Sequence, residues 1–111
     1  MELALDYFQQ GLVMAESVND LIGQGNSLNN IGLMYLRTER PNEALAYFLS
    51  STDFKEQAND TIGLSYNYDN LGMVSSQLQD FEAAEQYFLL PRLNLFQAYV
   101  LLRYLNLLLF S

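Results

Sequence analysis

Asn19-Asp20-Leu21-Ile22-Gly23 returns forty residues later as Asn59-Asp60-Thr61-Ile62-Gly63. Outward from that run, the same shift lays Ala4 on Ala44 and Ala84, Tyr7 on Tyr47 and Tyr87, and Phe8 on Phe48 and Phe88. It also lays Leu5 on Leu45, Glu16 on Glu56, Asn30 on Asn70, Gly32 on Gly72 and Leu49 on Leu89. Of the 50 pairs from Met1/Pro41 to Ser50/Leu90, 15 are identical, where unrelated sequence would give roughly three. Self-similarity at such a period means one supersecondary unit stacked on the next, each unable to bury its apolar face alone.

Within each unit the apolar and small residues recur at helical spacing, as in Leu28, Ile31, Gly32, Tyr35 and again in Ala44, Tyr47, Phe48, Ser51. A tight turn is expected at Arg40-Pro41, with Pro at the first helical position, and Asp80 stands where an N-cap should precede Phe81. The spacing predicts helices over about 1–18, 26–39, 42–58, 65–79 and 81–90, with the recurring run at 19–23 and 59–63 read as a turn. Each unit is therefore a pair of helices. Gly32 and Gly72 fall mid-helix, where Gly costs about 1 kcal/mol relative to Ala. Close approach of Ala44 and Ala84 on the neighbouring helix is the expected compensation.

These residues resemble the signature of the tetratricopeptide repeat family, in which an aromatic or Leu, then Leu-Gly, Tyr, Ala and Phe recur in order. Here that order reads Leu28, Ile31-Gly32, Tyr35, Ala44, Phe48, then Tyr68, Leu71-Gly72, Ser75, Ala84, Phe88. The resemblance covers residues 1–90 and departs at Ser75, where Tyr is usual, and in a period of 40 rather than 34. The longer period is similar to the variant in kinesin light chains, cell-polarity adaptors and bacterial signalling proteins. It implies an all-α antiparallel helix-pair solenoid of about two and a half repeats over 1–90, followed by a discordant segment over 91–111. It further implies a protein- or peptide-binding scaffold, and a chain cut from a longer array.

In such a solenoid the helices of 26–39 and 65–79 line the concave wall. Residues there that do not pack inward are Asn26, Asn29, Asn30, Leu33, Leu36 and Arg37, then Tyr66, Asp69, Asn70, Met73, Ser76 and Gln77. A carboxamide both donates and accepts, so Asn30 and Asn70, one unit apart, could hold the backbone of an extended peptide whatever its side chains. The resemblance implies that role too. The alternative reading is that these amides only satisfy neighbours inside the array. Arg37 is the one basic residue in the wall, so a C-terminal acidic peptide is disfavoured and a neutral or basic segment favoured.

Composition narrows the function further. The formal net charge is −8, with five Lys and Arg in all, which excludes phosphate-backbone recognition and hence a nucleic-acid partner. No Cys and no His are present, removing disulfides, thiol chemistry and the commonest general base and metal ligand. Asp53, Glu56 and Asp60 lack the 12-residue cation loop and read as a solvated face. Ser17, Ser27 and Ser65 have no base or elbow motif around them. The reading therefore calls for no enzyme activity, no cofactor and no metal. The acidic start Met1-Glu2-Leu3-Ala4-Leu5-Asp6 is unlike a secretory signal, and cytoplasmic is the expected location.

Between Leu93 and Phe110, 14 of 18 residues are apolar, and the exceptions Asn94, Gln97, Arg103 and Asn106 project to opposite sides of any helix. A helix apolar all round is normally buried or in a membrane. Three roles stay open for 91–111: a cap or self-association helix, a short membrane segment over 93–110 acting as an anchor, or the tail of a truncated reading frame. Pro91 where the preceding unit has Ser51, and a start inside the second helix of a unit, make both ends look cut. Open faces at Tyr7, Phe8 and the tail would then favour homo-oligomers.

Overall fold

Helix starts recur at Leu21, Pro41, Thr61 and Phe81, a rhythm of twenty residues. The computed structural model describes residues 2–90 and 95–110, and among these it contains helices and no strand. The elements are α1 (Glu2–Ser17), α2 (Leu21–Arg37), α3 (Pro41–Gln57), α4 (Thr61–Gln77), α5 (Phe81–Leu89) and α6 (Leu95–Phe110). Helices α1 to α5 pack successively on one another as antiparallel neighbours, and α2 also touches α4. The all-α helix-pair solenoid is as expected.

The rhythm comes from a repeated turn. Asn19, Glu39, Asn59 and Gln79 all have left-handed φ, between 55° and 62°. In each turn the next residue donates its N–H back over the helix end: Asp20, Arg40, Asp60 and Asp80 to the carbonyls of Ala15, Tyr35, Lys55 and Ser75, at 2.9 Å every time. This closes orphan carbonyls that a helix end would otherwise leave open. The carboxylates of Asp20, Asp60 and Asp80 then accept from the N–H groups of Gly23, Gly63 and Ala83, satisfying donors of the following helix. Arg40 has no capping side chain, and Pro41 opens α3 instead, where its missing N–H costs nothing.

The expected starts at 26 and 65 are therefore corrected to Leu21 and Thr61. Ile22-Gly23 and Ile62-Gly63 are the first helical turn, not the loop, because the glycine N–H is the donor that the Asp cap requires. A Glu in the left-handed region carries about 1 kcal/mol of steric cost that Gly avoids. Glu39→Gly is thus expected to raise the unfolding free energy by roughly 0.5–1 kcal/mol in a urea titration. Asn59→Gly should gain less, because Asn tolerates that conformation better.

Inside a unit, glycine sets the distance between helices. A Cβ on Gly32 would lie 2.7 Å from the Phe48 ring, and one on Gly72 would meet the Phe88 ring more closely still. The expected compensation by Ala44 and Ala84 is corrected accordingly: the residue that needs the space is the Phe one turn further on. Phe48 and Ala44 are fully buried and share the core with Leu36, Leu71 and Val74. Leu36, expected on the exposed wall, belongs to that core.

The departure at Ser75 has a structural counterpart. In the first unit Tyr47 stacks on Tyr35, ring centroids 5.4 Å apart and 12° from parallel. Ser75 holds the matching position in the second unit, and Tyr87 stacks instead on Tyr68, two turns earlier in α4, at 6.5 Å and 16°. The aromatic partner has moved from one position to another while the stack is kept. Tyr7 has no such partner and is largely exposed, meeting Phe8 edge-on.

Helix α5 ends at Leu89, two residues before Pro91. The expected break at Pro91 itself lies outside the described residues. Helix α6 has 16 residues, and Tyr99, Val100, Tyr104, Leu107, Leu108 and Leu109 are exposed on it. Its Leu101 and Leu105 face Gln86 and Leu89 of α5 and the capping Leu90 across a small apolar cleft. Among the described residues no helix is long and apolar enough to cross a membrane.

Candidate functional site

The two units are held in register by a buried polar network that no sequence motif announced. Lys55 on α3 is 2% exposed; its Nζ donates to Asn67 Oδ1 at 2.9 Å and reaches the Gly63 carbonyl at 3.5 Å. Asn67 Nδ2 donates to Ser51 Oγ at 2.8 Å and to Thr52 Oγ1 at 3.3 Å, while the Ser51 hydroxyl donates to the Gly25 carbonyl. One chain of hydrogen bonds thus joins α2, α3 and α4. Among the described residues no buried side-chain nitrogen or oxygen lacks a partner.

Burial pulls the Lys55 ammonium below the ordinary lysine pKa, and the carboxylate of Asp60 opposes that shift. With the folded pKa below the unfolded one, the unfolded chain holds the proton more tightly. Stability therefore rises with pH through the window between the folded value and the ordinary one of about 10.4. Urea titrations at pH 7.5 and 10.5, the second at the upper end of that window whatever the size of the lowering, are expected to show the protein gaining stability relative to Lys55→Met, which has no group to titrate. A difference that stays constant would show that Lys55 keeps its ordinary pKa.

This lock places α2 and α4 side by side, and Asn70 Nδ2 donates to Asn29 Oδ1 at 2.8 Å across the seam between them. At the helical repeat, Ile22, Asn26, Asn29, Leu33 and Arg37 fall on one stripe of α2, and Ile62, Tyr66, Asp69, Met73 and Gln77 fall on one stripe of α4. Asn26, Arg37, Tyr66, Asp69, Met73 and Gln77 are exposed, whereas Asn29, Asn30 and Leu33 are half-buried. Asn70 is almost buried and points along the seam rather than outward. Asn30 and Asn70 are thus flanking positions, and Asn70 already has a partner within the array. Ser76 is turned to its own helix, its hydroxyl donating to the Gly72 carbonyl.

Ile22 and Ile62 were missed by the sequence reading, which had placed them in a turn. Both are exposed apolar residues at the head of their stripes. The signal that could have found them is the Asp three residues before each Gly, a capping spacing. The acidic trio does not gather: Asp53 and Glu56 are exposed, and Asp60 is occupied as the α4 cap. Arg40 pairs with Glu43 at 3.1 Å and Lys55 is buried, so Arg37 is the one exposed cation of residues 2–90 without a carboxylate partner among the described residues.

A family model described as Tetratricopeptide repeat matches residues 25–59, and a second of the same description matches residues 65–90. The chain belongs to the tetratricopeptide repeat family. The two matches correspond to the α2–α3 and α4–α5 pairs, one tetratricopeptide repeat each. Such repeats are generally protein–protein interaction modules and typically non-catalytic scaffolds. Comparison with curated proteins and with solved structures returned no match.

Proposed function

We propose that the chain is a scaffold module that binds a segment of another protein along the paired stripes of α2 and α4. The observation that carries this reading is the exposure of Ile22, Ile62, Tyr66 and Met73 on that wall, interleaved with the carboxamides of Asn26 and Asn29, while Leu33 between them is half-buried against the edge of the core. Apolar anchors beside groups that both donate and accept suit a peptide, whose backbone offers both kinds of partner. Asn30 and Asn70 serve the same wall from its flank: Asn30 toward ligand main chain, Asn70 by holding α4 to α2. No chemistry is assigned to the module, and its cytoplasmic setting is part of the proposal, checked by fractionation of a tagged chain.

The test is calorimetric titration of a capped peptide obtained from a random nonapeptide library selected on the full chain. Ile22→Asp and Met73→Asp, both at exposed positions, should each weaken binding at least tenfold, since they place a charge in an apolar contact, while Leu49→Asp, an exposed position on α3, should not. Equal affinities for all three would discard the wall.

The exposed apolar residues of α6 favour a second reading, in which a second copy of the chain covers that helix. Light scattering of the full chain against Leu107→Glu/Leu109→Glu decides it: a dimer that dissociates in the variant supports it, and a monodisperse monomer in both removes it.

A further inference from the structure

We infer that the centre of the α4 stripe is a subsite for a cationic side chain, Lys or Arg, of the bound segment. This rests on the wall being the binding surface. Tyr66, Asp69 and Met73 follow one another at i, i+3 and i+7, so their side chains leave the helix on one line. All three are exposed, and none of the ion pairs of the described residues involves Asp69.

The chemistry of the three is complementary to one kind of group. Asp69 supplies a carboxylate, and Tyr66 an aromatic face that attracts a cation through its quadrupole. Met73 supplies a polarisable apolar contact for the methylene stem that Lys and Arg share. The equivalent line on α2 is Asn26, Asn29 and Leu33, with neither charge nor aromatic ring. The subsite therefore belongs to the second repeat alone and gives the wall a polarity: main-chain and apolar contacts over α2, a cation over α4.

The wider charge distribution agrees. Residues 1–90 hold 13 acids against Arg37, Arg40 and Lys55, a net of −10, and of those three cations only Arg37 is both exposed and unpaired among the described residues. An incoming Lys or Arg meets an attractive field over most of the surface, and its nearest competitor on the wall lies at the far end of α2.

The same nonapeptide selection tests this. The expected result is enrichment of peptides with Lys or Arg next to an aliphatic residue. A synthetic, capped peptide of that class should lose about fivefold in affinity on Asp69→Asn, retain it on Asp69→Glu, and bind more weakly in high salt. Selection of acidic or uncharged peptides, or of none, overturns the inference. A peptide weakened by Ile22→Asp but indifferent to Asp69→Asn removes the cation subsite and leaves the wall standing. One indifferent to both removes the wall itself.

Discussion

Asn67→Leu is expected to lower the unfolding free energy by about 3 kcal/mol, the upper end of the cost of taking the hydrogen-bond acceptor away from a buried donor, because that donor is charged. Asn67 is fully buried, and its carbonyl oxygen is the close partner of the Lys55 ammonium; what remains after substitution is the Gly63 carbonyl at 3.5 Å. Ser51 and Thr52 lose little, since their hydroxyls still donate to the carbonyls of Gly25 and Phe48. The penalty therefore falls on the ammonium, left with its charge poorly compensated. A second substitution identifies the cause: Lys55→Met in the Asn67→Leu background should restore most of the loss, because an apolar pair of similar volume has nothing to leave unpaired. Urea unfolding of the four proteins gives the coupling directly. A cost below about 1 kcal/mol for Asn67→Leu would mean that Lys55 escapes to solvent and that the lock is not one. Small domains hold roughly 5–15 kcal/mol in total, so the expected loss is a large share of it.

The second large effect concerns Phe48, which is fully buried over Gly32. Phe48→Ala should cost about 3–5 kcal/mol, the transfer of the ring plus the cavity it leaves. The more telling measurement is the sign of Gly32→Ala in two backgrounds. In the unaltered protein the added methyl collides with the ring, and overpacking of about 1–3 kcal/mol exceeds the roughly 1 kcal/mol that Ala gains in helix propensity. In Phe48→Ala the collision is gone and only the gain remains, so the same substitution should stabilise. Destabilisation of equal size in both backgrounds would show that the close approach at Gly32 is not made by that ring.

Much of the architecture was legible because the physics that builds it is local and repeated. The interval between Tyr47 and Tyr87, the spacing of Leu28, Ile31 and Gly32, and Pro41 at a helix start all follow from the geometry of stacked helix pairs. The starts of α2 and α4 were misread because Gly23 and Gly63 look like turn residues, whereas their N–H groups serve the Asp caps inside the helix. That error hid Ile22 and Ile62 and so shortened the candidate wall. The buried Lys55 was lost for another reason. It continues the inward spacing of Ala44, Phe48 and Ser51, yet a lysine among Asp53, Glu56 and Asp60 invites a solvated reading, and only the fold brings Asn67 to it. Asn70 stands out in the sequence as an amide inside a helix, but that it meets Asn29 rather than open solvent depends on how α4 sits beside α2.

The relocated aromatic stack carries a warning for anyone redesigning this protein. Restoring the usual Tyr at Ser75, as a consensus strategy would, inserts a second ring where Tyr68 already covers Tyr87, at a position only 3% exposed. Repair by averaging over relatives would here introduce a clash, and the two sites must be exchanged together, Ser75→Tyr with Tyr68→Leu, for the second unit to become a copy of the first.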